Sequence, residues 1–419
     1  MFITILIDYF AAIRIEDGKT AKTKKNMLLL GIVNTCLVLF VFKYYNFFID
    51  SFNFLGLTHI PHWEIILPVG LSFHVFQSLS YVVEVYRGNI KAERNLLNYA
   101  NYVMLFPQLV AGPIERAQNL LPQLRNCDQK ITYQDFLTGF TRFFWGLFKK
   151  LVVADTIGSF VDGIYSTHSD QTGGLLLLAT VFFAIQIYCD FSGYSDMAIG
   201  VARMMGFRFK ENFNLPYFAT SITAFWRRWH ISLSTWLRDY LYIPFGGNRK
   251  GKWATYKNLM LTMLIGGLWH GASWNFIIWG GLHGVYLSVE KALSLGKRKA
   301  SNILSRLSGW LLTFTLVCFA WIFFRAVGLQ QATDIITSIF TDTSINNFRS
   351  IDKMVIAPIL NGIVLLIIIE WLIIRKFSFD AIFETKYGDT LLAGFSTFLL
   401  LYVFLFGNSN NNQFIYFQF

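Results

Sequence analysis

Residues 225–251 read FWRRWHISLSTWLRDYLYIPFGGNRKG, and residues 258–284 read NLMLTMLIGGLWHGASWNFIIWGGLHG. The first stretch crowds cations and tryptophans together. The second holds no Asp, Glu, Lys or Arg, and the uncharged run continues to Val289. His270 sits near the middle of that run and His283 toward its end. As one helix, residues 258–289 would measure about 48 Å, against a hydrocarbon core of about 30 Å. That is too long for one span and too short for two. Both flanks are basic, so both ends belong on the cytoplasmic side under the positive-inside rule. The stretch therefore predicts a bent or hairpin-like element with His270 near its deepest point. Gly266–Gly267, Gly271 and Gly280–Gly281 offer the breaks.

Composition agrees. The chain is 54% hydrophobic and only 15% charged, where soluble domains carry about 25% charged residues. Too little polar sequence is present to cover a soluble core of this size. The fold class is all-α, a polytopic integral membrane bundle with bent or re-entrant helices and roughly eight to ten membrane segments. No boundary is apparent, so residues 1–419 read as a single membrane-embedded domain. The net charge of +11 suits loops on the cytoplasmic face and anionic membrane lipids rather than nucleic acid. The four cysteines (Cys36, Cys127, Cys189 and Cys318) are scattered, and no HExxH pattern occurs. Neither a disulfide framework nor a metal site is expected. Alternating basic and non-basic loops place the tail GNSNNNQFIYFQF on the outer face.

Ionisable residues inside apolar runs are functional by default. His270 suits general-base work on a hydroxyl, because imidazole titrates near working pH. The bland alternative is a histidine hydrogen-bonded between helices. His230 lies among Arg227, Arg228, Arg238, Asn248 and Arg249, a cationic field that would attract a phosphate-bearing donor or simply anchor a loop to headgroups. Trp229 and Trp269 flank the two histidines. Asp190 and Asp196, in CDFSGYSD, either orient a histidine, pair with an arginine, or cap a new helix after the Gly173–Tyr188 span. His74 and Glu84 read as packing residues, and His283 as a loop or interface residue. Tyr416, in QFIYFQF, either docks with an apolar tail or presents a phenol to an acyl group.

These strings resemble the core of the membrane-bound O-acyltransferase family. So do LPVGLSFHVFQSLSYVVEVYRG (67–88), FPQLVAGPIER (106–116) and YCDFSGYSDMAIGVARMMGFRFKENFNLPY (188–217). The likeness is to the bacterial branch that serves alginate and peptidoglycan O-acetylation. It implies a helical bundle around a central tunnel, with His270 as the catalytic histidine and His230 as a second functional one. The branch would move acetyl from cytoplasmic acetyl-CoA across the inner membrane of a bacterium to an exported or cell-wall polysaccharide. An extracytoplasmic SGNH-type acetyltransferase would be the partner, and no permanently bound cofactor is implied. By analogy with the companion peptide of teichoic-acid D-alanylation, Tyr416 becomes a candidate acyl carrier. D-alanyl or other acyl transfer is the alternative, as is a non-catalytic transporter or scaffold. The branch carries a further N-terminal segment of roughly 50 residues, room for one or two spans, which this chain is expected to lack.

Overall fold

The computed structural model describes residues 1–54, 56, 60–65, 68, 70–109, 112–126, 130–294, 302–342, 344, 353–374, 378–408 and 414–415. Among these residues the secondary structure is helical, with no strand. Among the described residues five helices are long and apolar enough to cross a membrane: Ala21–Asn53, Gly173–Met204, Ile303–Arg325, Lys353–Leu372 and Gly388–Phe406. Leu71–Tyr86, at 16 residues, falls short of the about 20 that a full span needs. Packing separates two compact units that the sequence did not announce: Met1–Ile131 with Met205–Lys210, and Thr132–Met204 with Glu211–Phe419.

In the first unit Phe2–Asp17, Ala21–Leu39 and Leu71–Tyr86 pack together. Several of their polar residues face inward and pair, since each unpaired group in hydrocarbon costs several kcal/mol. Asp8 accepts from Asn34 at 3.3 Å and from Ser78, whose hydroxyl also meets Tyr99 OH at 2.9 Å. His74 Nε2 meets Thr4 Oγ1 at 2.9 Å. Glu84 accepts from Arg87, Asn89 and Gln118. His74 and Glu84 are thus packing residues, as the sequence suggests.

The second unit is built on Gly173–Met204, one continuous 32-residue helix. Asp190 and Asp196 lie in its interior. The helix-capping alternative is therefore corrected: no new helix begins after Tyr188. Tyr133–Leu147, opened by a Thr132–Asp135 capping box, lies against it through two glycine pairs. A Cβ on Gly146 would overlap the Gly193 carbonyl oxygen, and one on Gly200 would overlap that of Gly139. Small residues let backbones approach where no hydrophobic force drives helices together. A π-helical run, Phe148–Ala154, then carries two successive lysines. Buried Lys149 donates to Ser192 Oγ at 3.0 Å and pairs with Asp196, while Lys150 pairs with Asp190 at 2.5 Å and Asp155 at 2.8 Å.

The uncharged run folds as a hairpin. Gly251–His270 and Trp274–Ala292 are helices, and the register is antiparallel, with Gly267 against Phe276 and Gly280, and Met260 against Gly284. The only break within the run falls at 271–273. The glycine pairs at 266–267 and 280–281 were expected to permit breaks; both lie inside unbroken helix. Gly267 and Gly280 serve instead as the crossing point, where added Cβ atoms would overlap the Phe276 and Met263 carbonyl oxygens. Gly267→Ala should cost ~1–3 kcal/mol through overpacking, read as a lower thermal midpoint in detergent. An unchanged midpoint would mean the crossing relaxes freely.

Candidate active site

His270 ends the first hairpin helix, so its ring stands at the turn. Helical rise puts it about 18 Å along the helix from Asn258, where the charges stop. It is buried, and aromatic rings surround it edge-on: Trp269 at 5.0 Å, Trp279 at 4.9 Å and Phe324 at 5.5 Å between centroids. Trp279 and Phe324 belong to a large core that also holds Trp321, Trp229 and Phe225.

His230 is also fully buried and adopts left-handed backbone geometry, φ 42° and ψ 57°. Non-glycine residues pay about 1–3 kcal/mol for that conformation, and it recurs at functional sites. Its ring is fixed by Asn212. Asn212 Oδ1 accepts from the Ser232 backbone N–H at 3.2 Å and from the Ser232 hydroxyl at 2.8 Å, and its Nδ2 donates to Ser195 at 3.0 Å. The amide orientation is thereby set. The His230 Nδ1 contact to Asn212 Oδ1, at 3.1 Å, therefore carries the imidazole proton, and Nε2 is the lone-pair side. His230 lies outside the five spanning helices, and burial pulls its pKa from 6.5 down to about 3. The unfolded chain binds a proton there below pH about 6.5 that the native chain excludes. Stability should consequently fall as pH drops across the window from about 6.5 to about 3. Melts of wild type and His230→Asn from pH 7 to 4 would show it as a steeper wild-type loss.

Trp269 links the histidines, its ring 6.3 Å from His230 and 5.0 Å from His270. Trp229 lies on the core side, stacked on Phe225 at 5.5 Å and against Trp321 at 5.2 Å. Asp190 pairs with Lys150, and Asp196 with Lys149 and, as an arginine partner, with Arg142 at 2.8 Å; neither pairing is with a histidine. Phe191, next to Asp190, meets His230 edge-on at 4.5 Å.

A cavity of about 580 Å³ opens beside the hairpin. Arg227 and Arg238 line it, as do Trp226, Tyr242, Glu290 and Lys291. Arg228, Asn248 and Arg249 do not line it, and Asn248 and Arg249 are exposed in the turn before Gly251. The sequence reading missed Asn212, Lys291 and Glu290. Buried Glu290 accepts the backbone N–H groups of Ile222 at 2.6 Å and Thr223 at 3.2 Å, holding the start of Ile222–Trp226 to the hairpin. It also misplaced His283, which is fully buried. A signal existed: GGLHG at 280–284 repeats GGLWHG at 266–271 less its tryptophan.

At the chain's end, Ile415 N–H donates to Asp190 at 3.0 Å, and Phe414 packs on Tyr194 at 5.2 Å. Tyr416 lies outside the described residues. Among the described residues no cluster of metal-ligating side chains occurs.

A multi-pass helical membrane protein with two buried histidines linked by a tryptophan, beside a cation-lined cavity, is the class these features define. Comparison with known proteins gives the particular family. The chain belongs to the membrane-bound O-acyltransferase family, whose model matches residues 22–331. It is 47% identical over 338 residues to a probable alginate O-acetylase of Pseudomonas syringae pv. tomato, covering 79% of this chain and 64% of that protein. It is 37% identical over 358 residues to a peptidoglycan O-acetyltransferase of Helicobacter pylori, covering 80% and 68%. A teichoic acid D-alanyltransferase of Bacillus subtilis aligns at 31% over 282 residues, covering 64% and 70%. The chain thus spans slightly under two thirds of the alginate relative's length.

Proposed function

We propose that the protein is an O-acetyltransferase of the bacterial inner membrane, taking acetyl from cytoplasmic acetyl-CoA for an exported or cell-wall polysaccharide. The observation that carries this is the His230–Trp269–His270 ring series beside the cavity lined by Arg227, Arg238 and Lys291. The cations match the phosphates of the donor's nucleotide end. Arg228, Asn248 and Arg249 would act as an outer field rather than as contacts.

His270 takes the proton of the attacking hydroxyl. The oxygen adds to the thioester carbonyl, the C–S bond breaks, and CoA leaves as its thiol. His230 presents Nε2 as an acceptor. Its position with Nδ1–H given to Asn212 supports gripping a donor N–H or O–H rather than stabilising an oxyanion. Asp190 and Asp196, held by Lys150 and Lys149, keep Phe191 and the helix register against His230. Tyr416 is carried as the acyl relay toward an extracytoplasmic SGNH-type acetyltransferase, with the tail on the outer face.

Reconstituted protein given radiolabelled acetyl-CoA, or an aminoacyl carrier protein, tests the donor. Label in polysaccharide from acetyl-CoA alone is the expected result, in keeping with the higher identity to O-acetylases than to the D-alanyltransferase. Label only from the aminoacyl carrier would overturn it. Mass spectrometry of the tail peptide tests the relay; an unmodified Tyr416 in a sample that acetylates glycan would remove it.

A further inference from the structure

His270 does not line the cavity; Trp226 bridges the two. One side of this residue lines the cavity. Its ring also meets Trp279 at 5.8 Å, and Trp279 meets His270 at 4.9 Å. One residue of the hairpin's second helix fixes the Trp226 indole. His283 accepts the Trp226 Nε1–H at its Nδ1, at 3.3 Å, with ring centroids 5.0 Å apart and nearly perpendicular.

The helix geometry makes this position a junction. Trp279, His283, Leu287 and Glu290 follow one another at helical spacing, so they form one stripe along Trp274–Ala292. The stripe begins in the aromatic box of His270 and ends in the cavity, which Leu287 and Glu290 line. His283 is the polar member between the two. Its Nδ1 accepts, so its proton sits on Nε2, and Nε2 is buried with no hydrogen-bond partner among the described residues. Buried polar groups are almost always satisfied, and an exception asks for an explanation.

We infer that His283 is a positioning residue that latches Trp226 across the passage from the cavity to His270. The inference rests on the roles given above to the cavity and His270. The latch is a single hydrogen bond between neutral groups, weak enough to release when a donor fills the cavity. While closed it keeps water from His270. Opened without an acceptor, the passage would let water add to the thioester carbonyl. The C–S bond would break, releasing acetate and CoA thiol.

The test uses the full chain in nanodiscs, labelled with ¹⁵N-indole tryptophan. The Trp226 resonance is assigned by its loss in Trp226→Phe. His283→Ala removes the acceptor; His283→Asn keeps an oxygen where Nδ1 lies. The expected result is an upfield indole proton shift in His283→Ala that His283→Asn restores. Acceptor-free CoA release from acetyl-CoA should rise ~3–10-fold in His283→Ala, the scale of one neutral hydrogen bond, and return toward wild type in His283→Asn. Equal melting midpoints of the two variants exclude misfolding as the cause. An unshifted indole resonance in His283→Ala overturns the latch whatever the substrate. So does CoA release that is the same in the Ala and Asn variants. Absence of CoA release in every protein, with the indole shift intact, would count against acetyl-CoA as donor and leave the latch standing.

Discussion

His270→Ala, inserted in the membrane at wild-type level, should lower the rate of glycan acetylation by ~10²–10⁴-fold, the range for removing a positioned general base. The reasoning is local. The side chain stands at the turn of a hairpin, buried by Trp269 and Trp279 from its arms and by Phe324 from Ile303–Arg325. The cavity walls, including Arg227 and Arg238, lie on other residues, so donor binding should survive. The measured split is therefore a collapsed kcat with a KM for acetyl-CoA within a few-fold of wild type. Undiminished turnover would show that His270 only packs. A KM rise with kcat retained would move the residue from chemistry to binding.

Lys150→Met should destabilise the protein by ~3–5 kcal/mol, the cost of leaving buried charge uncompensated. The Lys150 ammonium is shared by Asp155 and Asp190, whose side chains are 6% and 2% exposed. Methionine matches the stem's volume but supplies no charge, so two carboxylates remain facing one another in an apolar bundle. Urea or thermal unfolding in detergent measures the loss. The triple variant Lys150→Met, Asp155→Asn, Asp190→Asn should recover most of it, because the penalty lies in the unpaired charges. Failure of that rescue would place the cost in packing instead. The same lysine's ammonium lies 5.9 Å from the Phe414 ring, so tail accessibility to protease should rise with Lys150→Met.

Much of this was legible before any coordinates. Charge parity around residues 258–289 demanded that both ends return to one side, and the hairpin does this. The histidine at its turn stood out because charge was absent all around it. What could not be read was pairing between distant segments. Lys149 and Lys150 sit among apolar residues, and nothing in the sequence shows Asp196 and Asp190 across from them. Arg227, Arg228, Arg238, Asn248 and Arg249 looked equivalent by proximity. The turn at 246–251 exposes Asn248 and Arg249, and only Arg227 and Arg238 reach the cavity. His283 was passed over because apolar runs give no signal for which of several polar residues faces the centre. The glycine pairs were misjudged for a related reason: glycine permits both a break and a close crossing, and only the partner helix decides between them.

The π-helical run at Phe148–Ala154 has a consequence for how this chain can vary. A π-turn holds one residue more than the α-turn it replaces. Every side chain beyond it is thereby rotated by about 100° relative to an uninterrupted α-helix. Deleting a single residue between 148 and 154 would do more than shorten the protein. It would swing the buried face of Asp155–Ser166, with Ile157 and Val161, away from its present alignment with the buried face of Tyr133–Leu147. One-residue gaps should therefore be excluded from this point of the chain, while the exposed turn at 248–250 can absorb them.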